Sequence, residues 1–327
     1  MSHQAPASQN SAAAYRGRFA PSPSGPLHFG SLVSALASFL HARHCGGDWL
    51  VRMENLDPPR EQPGADRKIL DALEAHGLHW DGRVWYQSER LDAYAEILAD
   101  FRQRGLAYPC ICTRKDLRAM GGVYNGRCRQ RRTDPKEPFA WRLKLYDLPE
   151  TIADLNETLG FEDLFQGYQQ NNLRRDLGDP VIKRKDGLFA YQLAVVADDI
   201  AQGITHVIRG SDLLELSVGQ LASFYLLGGR PPRFGHVPTA TNAAGQKLSK
   251  QHGAPGLQNH RAGDNLWQAL AFLGQNPPSE LTEASPDQLL DWGRQHWRPD
   301  ALGVLKKLAP REFRAESDAT LQRHEEL

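Results

Sequence analysis

Two short segments, far apart in the chain, restrict its fold more than any other feature. The first is Arg18-Phe19-Ala20-Pro21-Ser22-Pro23-Ser24-Gly25-Pro26-Leu27-His28-Phe29-Gly30-Ser31. It reads as the end of a strand, a stiffened turn and the start of a helix. Pro21, Pro23 and Pro26 fix the turn, while Gly25 and Gly30 let backbone approach a ligand closely. Free N–H groups at the helix start, near Gly30 and Ser31, favour an anion, and His28 can donate to a phosphate oxygen from there. The second segment, Lys247-Leu248-Ser249-Lys250-Gln251, is a polar loop beside Gly245 and Gly253. Its two ammonium groups can neutralise charge developing on a triphosphate. Taken singly, His28 reads equally well as a capping histidine and the lysines as a solvated loop. Taken together they call for a phosphate cradle on an α/β sheet, built without a P-loop.

The intervening pattern agrees with that class. Residues 16–20 and 49–54 are short and apolar enough for strands, and 31–42, 64–76 and 91–104 carry helical periodicity. Alternation of this kind predicts a parallel sheet with helices on its faces. From 107 to 186 the texture turns rich in Arg, Pro, Gly and Gln, which marks an inserted module. Apolar, β-prone sequence returns at 188–196 and 204–208, followed by helices at 211–227, 257–272 and 286–297. The expected division is a disordered tail at 1–14, catalytic halves at 15–106 and 187–253 around the 107–186 insertion, and a small helical part with a charged, loose tail at 254–327.

Formal net charge is zero in 327 residues, so any contact with nucleic acid must come from a local patch. Arg114, Lys115, Arg118, Arg127, Arg129, Arg131 and Arg132, with Asp116 the only acid among them, form such a patch. No apolar run reaches transmembrane length, and the opening residues lack the apolar core of a signal peptide, so the expectation is a cytoplasmic protein. Cys110, Cys112 and Cys128 are spaced as tetrahedral zinc ligands, with the fourth position open to Tyr124, Asp116 or water. Cys45 stands apart and is expected to be an ordinary buried thiol.

The two segments resemble the HIGH and KMSKS signatures of class I aminoacyl-tRNA synthetases, with Ser31 and Gln251 departing at the last letter of each. Arg52-Met53-Glu54-Asn55-Leu56-Asp57, Tyr86-Gln87-Ser88-Glu89-Arg90, Ala190-Tyr191-Gln192-Leu193-Ala194-Val195-Val196-Ala197-Asp198-Asp199 and Gly203-Ile204-Thr205-His206-Val207-Ile208-Arg209-Gly210 are similar to segments of glutamyl-tRNA synthetases. That resemblance implies a class I Rossmann-type parallel sheet interrupted by a zinc-binding insertion, and ATP-dependent activation of L-glutamate. It places Arg18, Phe19, Ala20, Pro21, Ser22, Glu54, Tyr191 and Arg209 around glutamate. It places His28, Gly30, Ser31 and Lys250 on ATP with Mg2+, makes His28, Lys247 and Lys250 catalytic, and favours Tyr124 as the fourth zinc ligand.

The short stretch after Lys250 leaves room for one small helical piece and for no anticodon-binding domain. With its variants of the two signatures, the chain is similar to the glutamyl-queuosine tRNA(Asp) synthetase family of truncated paralogues. This narrower resemblance implies glutamate activation without tRNA and transfer to the queuosine base at the wobble position of tRNA(Asp). The partner would be the anticodon loop, and the enzyme a monomer away from membranes. A minimal glutamyl-tRNA synthetase charging a 3′ end is the second reading. A non-catalytic zinc RNA-binding protein is the third, and the retained His28, Lys247, Lys250 and glutamate set argue against it.

Overall fold

A computed structural model describes residues 14–131, 137–148, 155, 157–241 and 255–304. The expected tails and the lysine loop fall largely or wholly outside these residues. Strand β1 (Arg16–Phe19) pairs in parallel with β2 (Asp48–Met53), Arg16 opposite Asp48 and Phe19 opposite Val51. Helix α1 (Phe29–His44) makes the crossover between them. Strand β3 (Trp85–Tyr86) pairs in parallel with β2 after helix α2 (Ala65–Ala75), and α3 (Leu91–Gln103) follows.

The inserted stretch opens with β4 (Ala107–Cys110) and the short α4 (Arg114–Ala119). Strand β4 pairs antiparallel with β5 (Ala140–Leu143). A hairpin of β6 (Thr158–Asp163) and β7 (Gly167–Asn172) follows, and β8 (Val181–Lys183) completes the sheet with β5.

The chain then returns to the parallel layer through α5 (Tyr191–Ala201), β9 (His206–Gly210), α6 (Leu214–Leu226) and β10 (Arg233–Val237). Strand β10 pairs in parallel with β9. Strand β9 lies beside β1, where Thr205 N–H donates to Arg16 C=O at 2.9 Å and Arg16 N–H to Thr205 Oγ1 at 2.8 Å. The resulting order is β3-β2-β1-β9-β10. The winding direction reverses between β1 and β9, and open α/β sheets bind ligands outside the carboxyl ends of the strands flanking such a point.

Burial follows from that layering. Trp49, Val51 and Met53 on one face of β2 and Arg52 on the other are fully buried, as expected for a parallel strand covered on both faces. The expected apolar side of α1, Leu32, Leu36, Phe39 and Leu40, is buried, and Val33, Ala35, Ala37 and Ala42 are buried as well. The extra cover comes from α7 (Ala262–Phe272), α8 (Pro286–His296) and α9 (Asp300–Val304), whose Leu266, Leu270, Leu289 and Leu302 share the α1 core. A reciprocal Ser285–Gln288 capping box with Pro286 in the first turn sets the start of α8.

Two expectations are corrected. Residues 188–196 do not form a strand: only Phe189 bridges to Lys183, and α5 begins at Tyr191. Val195 and Val196 gave the segment its β character, but a short apolar run cannot distinguish a buried strand from a buried helix. Cys45 is exposed, because it caps the end of α1 where Gly46, at φ 64°, turns the chain outward. Among the described residues no helix is long and apolar enough to cross a membrane.

The amino ends of β1 and β9 hold a cluster of rings. Tyr15 stacks on His206 with centroids 4.0 Å apart, and Trp297 Nε1–H donates to His41 Nδ1 at 3.2 Å. Burial, reinforced by neighbouring positive charge, holds both imidazoles down to about 4 from an ordinary 6.5. The unfolded chain therefore binds more protons than the folded one between these values, and stability rises with pH across that window. The melting temperature should fall as pH drops from 6.5 to about 4, and less steeply in His206→Gln, a comparison calorimetry can make.

Candidate active site

A cavity of about 810 Å3 opens at the carboxyl ends of β1 and β9. Its wall contains Arg18, Phe19, Ala20, Pro21 and Ser22 from β1 and the turn after it, and His28, Gly30 and Ser31 from the start of α1. Glu54 follows β2, Tyr191 begins α5 and Arg209 lies in β9, and all three reach the same space. The structure thus brings together every expected nucleotide and amino-acid residue that it describes. Lys247 and Lys250 lie outside the described residues.

Backbone bonds hold the turn after β1. Glu54 N–H donates to Pro21 C=O at 2.9 Å, Gln62 N–H to Pro23 C=O at 3.0 Å and Leu257 N–H to Leu27 C=O at 2.8 Å. His28 does cap α1: its Nδ1 accepts from Ser31 N–H at 3.3 Å, and its Nε2 lies 3.1 Å from Ser31 Oγ. The capping and the phosphate-facing readings are compatible, since the same imidazole lines the cavity at the positive end of a 16-residue helix.

The floor of the cavity is ionic. Arg18 donates Nε–H and Nη2–H to the two oxygens of Asp199 at 3.2 and 3.3 Å. Arg52 donates to Asp199 Oδ1 at 2.8 Å and to Gln202 Oε1 at 2.6 Å. The neighbouring Asp198 accepts from Gln87 Nε2–H at 2.8 Å, Arg90 Nε–H at 2.6 Å and Tyr94 Oη–H at 2.7 Å. Burial pushes the Asp199 carboxyl up, yet Arg18 and Arg52 outweigh it and hold the group below its ordinary range. Sequence reasoning assigned no role to Arg52, Asp198 or Asp199, although adjacent acids inside an apolar helix signal a buried pair. Arg18 also lines the cavity, so the arginine that Asp199 holds faces the ligand space as well.

Two side chains remain electrostatically incomplete. Burial drives the Glu54 carboxyl up to about 7 against the pull of Arg52 and Arg18. Among the described residues its buried Oε1 has no hydrogen-bond partner, and Arg52 Nη2 is 3.5 Å away. Arg209 is buried and has no carboxylate within ion-pair distance among the described residues. Its partners are neutral: His236 Nε2, Tyr191 Oη, Ser217 Oγ and Gln220 Oε1. A buried cation without a counter-charge is costly. A small ligand carrying both ammonium and carboxylate groups would complete both residues at once.

The profile of the family described as "tRNA synthetases class I (E and Q), catalytic domain" matches residues 14–272. A glutamyl-Q tRNA(Asp) synthetase from Pseudomonas fluorescens is 49% identical over 288 residues, covering 88% of this chain and 93% of that protein. One from Thiobacillus denitrificans is 50% identical over 307 residues, covering 91% and 99%. The chain belongs to the glutamyl-Q tRNA(Asp) synthetase family. A glutamate tRNA ligase from Elizabethkingia meningosepticum, solved with its amino acid, superposes with a TM-score of 0.71 at 26% identity. That match covers 88% of this chain, which spans 65% of the ligase's length. The α/β fold is therefore that of a class I tRNA synthetase.

In this synthetase the inserted stretch carries a second constellation. The sulphurs of Cys110, Cys112 and Cys128 lie within 4.8 Å of one another, those of Cys112 and Cys128 being 3.5 Å apart. Tyr124 Oη stands 3.5 Å from Cys110 Sγ and accepts Cys128 N–H at 2.9 Å. Asp116, the alternative fourth ligand, is occupied: its Oδ2 accepts from Thr113 N–H at 2.8 Å and Thr113 Oγ1–H at 2.7 Å. Thiolates around a tetrahedral zinc are about 3.8 Å apart, so three sulphurs and a phenol at these separations fit that ion. Gly178, at φ 65°, allows Tyr124 to lie there, since a Cβ would come 2.4 Å from Tyr124 O.

The basic patch divides. Arg129 donates to both oxygens of buried Asp179 at 2.7 Å and is structural. Arg114, Lys115 and Arg118 are exposed on α4, and Arg132 lies outside the described residues. The prediction that tests the ionic floor is Asp199→Asn, which strands Arg18 and Arg52. Urea unfolding should show a loss of about 3 kcal/mol, the cost of leaving a buried charge unpaired.

Proposed function

We propose that this chain activates L-glutamate with ATP, without needing tRNA, and transfers the glutamyl group to the queuosine base at the wobble position of tRNA(Asp). The observation that carries the amino-acid half is a pair of side chains facing one cavity below a helix start: Glu54, whose buried Oε1 accepts no hydrogen bond among the described residues, and Arg209, which has no carboxylate at ion-pair distance among them. Glu54 takes the α-ammonium group, while Arg209, Tyr191 and Arg18 take carboxylate oxygens. Phe19, Ala20, Pro21 and Ser22 shape the wall between them. The acceptor half rests on the relatives, which are glutamyl-Q tRNA(Asp) synthetases.

Adenylate formation needs no general base. The α-carboxylate of glutamate is ionised at neutral pH, and its oxygen attacks the α-phosphorus of ATP, expelling pyrophosphate. His28, the N–H groups at Gly30 and Ser31, and the ammonium groups of Lys247 and Lys250 stabilise charge on the phosphates, with Mg2+ accompanying the nucleotide. A hydroxyl oxygen of the queuosine base then attacks the glutamyl carbonyl carbon, the acyl–phosphate bond breaks, and the hydroxyl proton leaves with the phosphate of AMP. In this reading 15–106 and 187–253 form one catalytic unit, 107–186 is a zinc-bearing module, 254–327 a small helical part with a tail, and the enzyme acts as a monomer. Arg114, Lys115 and Arg118 on α4 contact tRNA phosphates.

Labelled glutamate supplied with ATP to two tRNA pools tests the reading. Label confined to the pool that contains queuosine, mapping to tRNA(Asp), is the expected outcome. Equal label on both pools, mapping to tRNA(Glu), would overturn it in favour of a minimal synthetase. The zinc assignment to Cys110, Cys112, Tyr124 and Cys128 has its own check. Elemental analysis should find one zinc per chain, lost in Cys128→Ser together with resistance of the inserted stretch to protease.

A further inference from the structure

Behind Arg209, on the side away from the cavity, lies a set of polar groups to which the proposed reaction assigns nothing. His236 of β10 is fully buried and bonded at every polar atom. Its Nδ1 is 2.6 Å from Asp163 Oδ2, and its Nε2 accepts from Arg209 Nε–H at 3.1 Å. Its own N–H donates to Asp163 Oδ1 at 3.2 Å, and its C=O accepts from Gln166 Nε2–H at 2.7 Å. Ser217 Oγ lies 3.1 Å from the same Nε2. Ser217, His236 and Asp163 thus have the order of a hydrolytic triad. They cannot act as one, because all three are buried and an arginine occupies the place a substrate would need.

We infer that His236, clamped by Asp163, is a positioning residue for Arg209, supplying a proton-free nitrogen that fixes the guanidinium plane in the glutamate site. The inference rests on the reading of Arg209 as a carboxylate-binding residue. The proton count carries it. A guanidinium Nε–H only donates, so the nitrogen it meets must present a lone pair. An ionised carboxylate only accepts, so the proton between Asp163 and the ring must sit on Nδ1. Burial raises the Asp163 carboxyl, but His236 and the N–H groups of Phe165 and Gln166 outweigh it and keep the group ionised. Both contacts therefore demand the same neutral tautomer, Nδ1–H with Nε2 bare.

The consequence for Arg209 is directional. With Nε–H on His236 and Nη2–H groups on Ser217 at 2.8 Å and Gln220 at 2.7 Å, the plane of the group is fixed from behind. Nη1 is left on the cavity side, where it meets Tyr191 Oη at 3.3 Å, its one recorded partner among the described residues. Removing the acceptor at Nε2 frees the side chain to swing and adds an ordering cost to every binding event.

Two near-isosteres separate this role from mere packing. His236→Asn keeps an amide N–H near the Nδ1 position for Asp163 but offers no acceptor to Arg209. His236→Gln places an oxygen near the Nε2 position and restores that acceptor. In ATP–pyrophosphate exchange, His236→Asn should raise KM for glutamate about tenfold with kcat and KM for ATP little changed, the signature of lost ground-state binding. His236→Gln should recover most of the loss. A folded His236→Asn protein with the unaltered glutamate KM, or a His236→Gln protein no better than it, would overturn the assignment.

The imidazole nitrogens of the unaltered protein give a second readout that needs no variant. Nitrogen-15 spectra should show His236 as the Nδ1–H tautomer, and an Nε2–H tautomer or an imidazolium would equally overturn the clamp. Should the unaltered protein fail to exchange with glutamate at all, the activity reading falls, while the tautomer still decides the clamp.

Discussion

Asp198 and Asp199, side by side near the end of α5, hold the parallel layer in register with its helices. Asp199 ties the arginine of β1 to the arginine of β2, and Asp198 gathers Gln87, Arg90 and Tyr94 from beyond β3. Neither carboxylate has appreciable exposure. A buried pair of this kind gains little net stability over an apolar packing of the same volume, but it is intolerant of losing a member. Its value here is geometric. The network fixes Arg18, and through Arg52 the surroundings of Glu54, on the floor of the cavity.

The cavity is therefore built from the outside inward. Sheet order supplies the crevice between β1 and β9, and α1 supplies a helix start aimed at it. The ionic floor then sets two arginines in different electrical states. Arg18 is already balanced by Asp199, whereas among the described residues Arg209 is held by neutral groups alone. In the proposed reading that asymmetry is what receives the ligand's negative charge, and Glu54 its positive charge.

Much of this was legible in the chain. The Pro- and Gly-rich turn after β1, the crossover helix and the strand at 49–54 follow from local pattern, because turn chemistry and parallel-strand burial are written in neighbouring residues. The sulphur cluster was legible from spacing for the same reason. The start of α5 was not, since Val195 and Val196 favour a strand locally and only packing against α6 and the sheet settles the matter. Long-range partners were equally out of reach. No spacing relates Arg52 to Asp199, or His236 to Asp163, 73 residues earlier. Arg129 shows the converse error: a basic residue in a basic run looks like surface until Asp179 is found beneath it.

The turn that joins β6 to β7 has an effect far from any ligand. Leu164 N–H donates to Phe234 C=O at 2.8 Å, and Asp163 and Gln166 bond the backbone of His236. Strand β10 ends the parallel sheet, and an uncovered terminal strand is a template on which another chain can add. Here part of the inserted hairpin occupies that template. The same segment that bonds the backbone of His236 also covers the edge of the sheet, so one short turn both fixes a buried histidine and closes a strand edge.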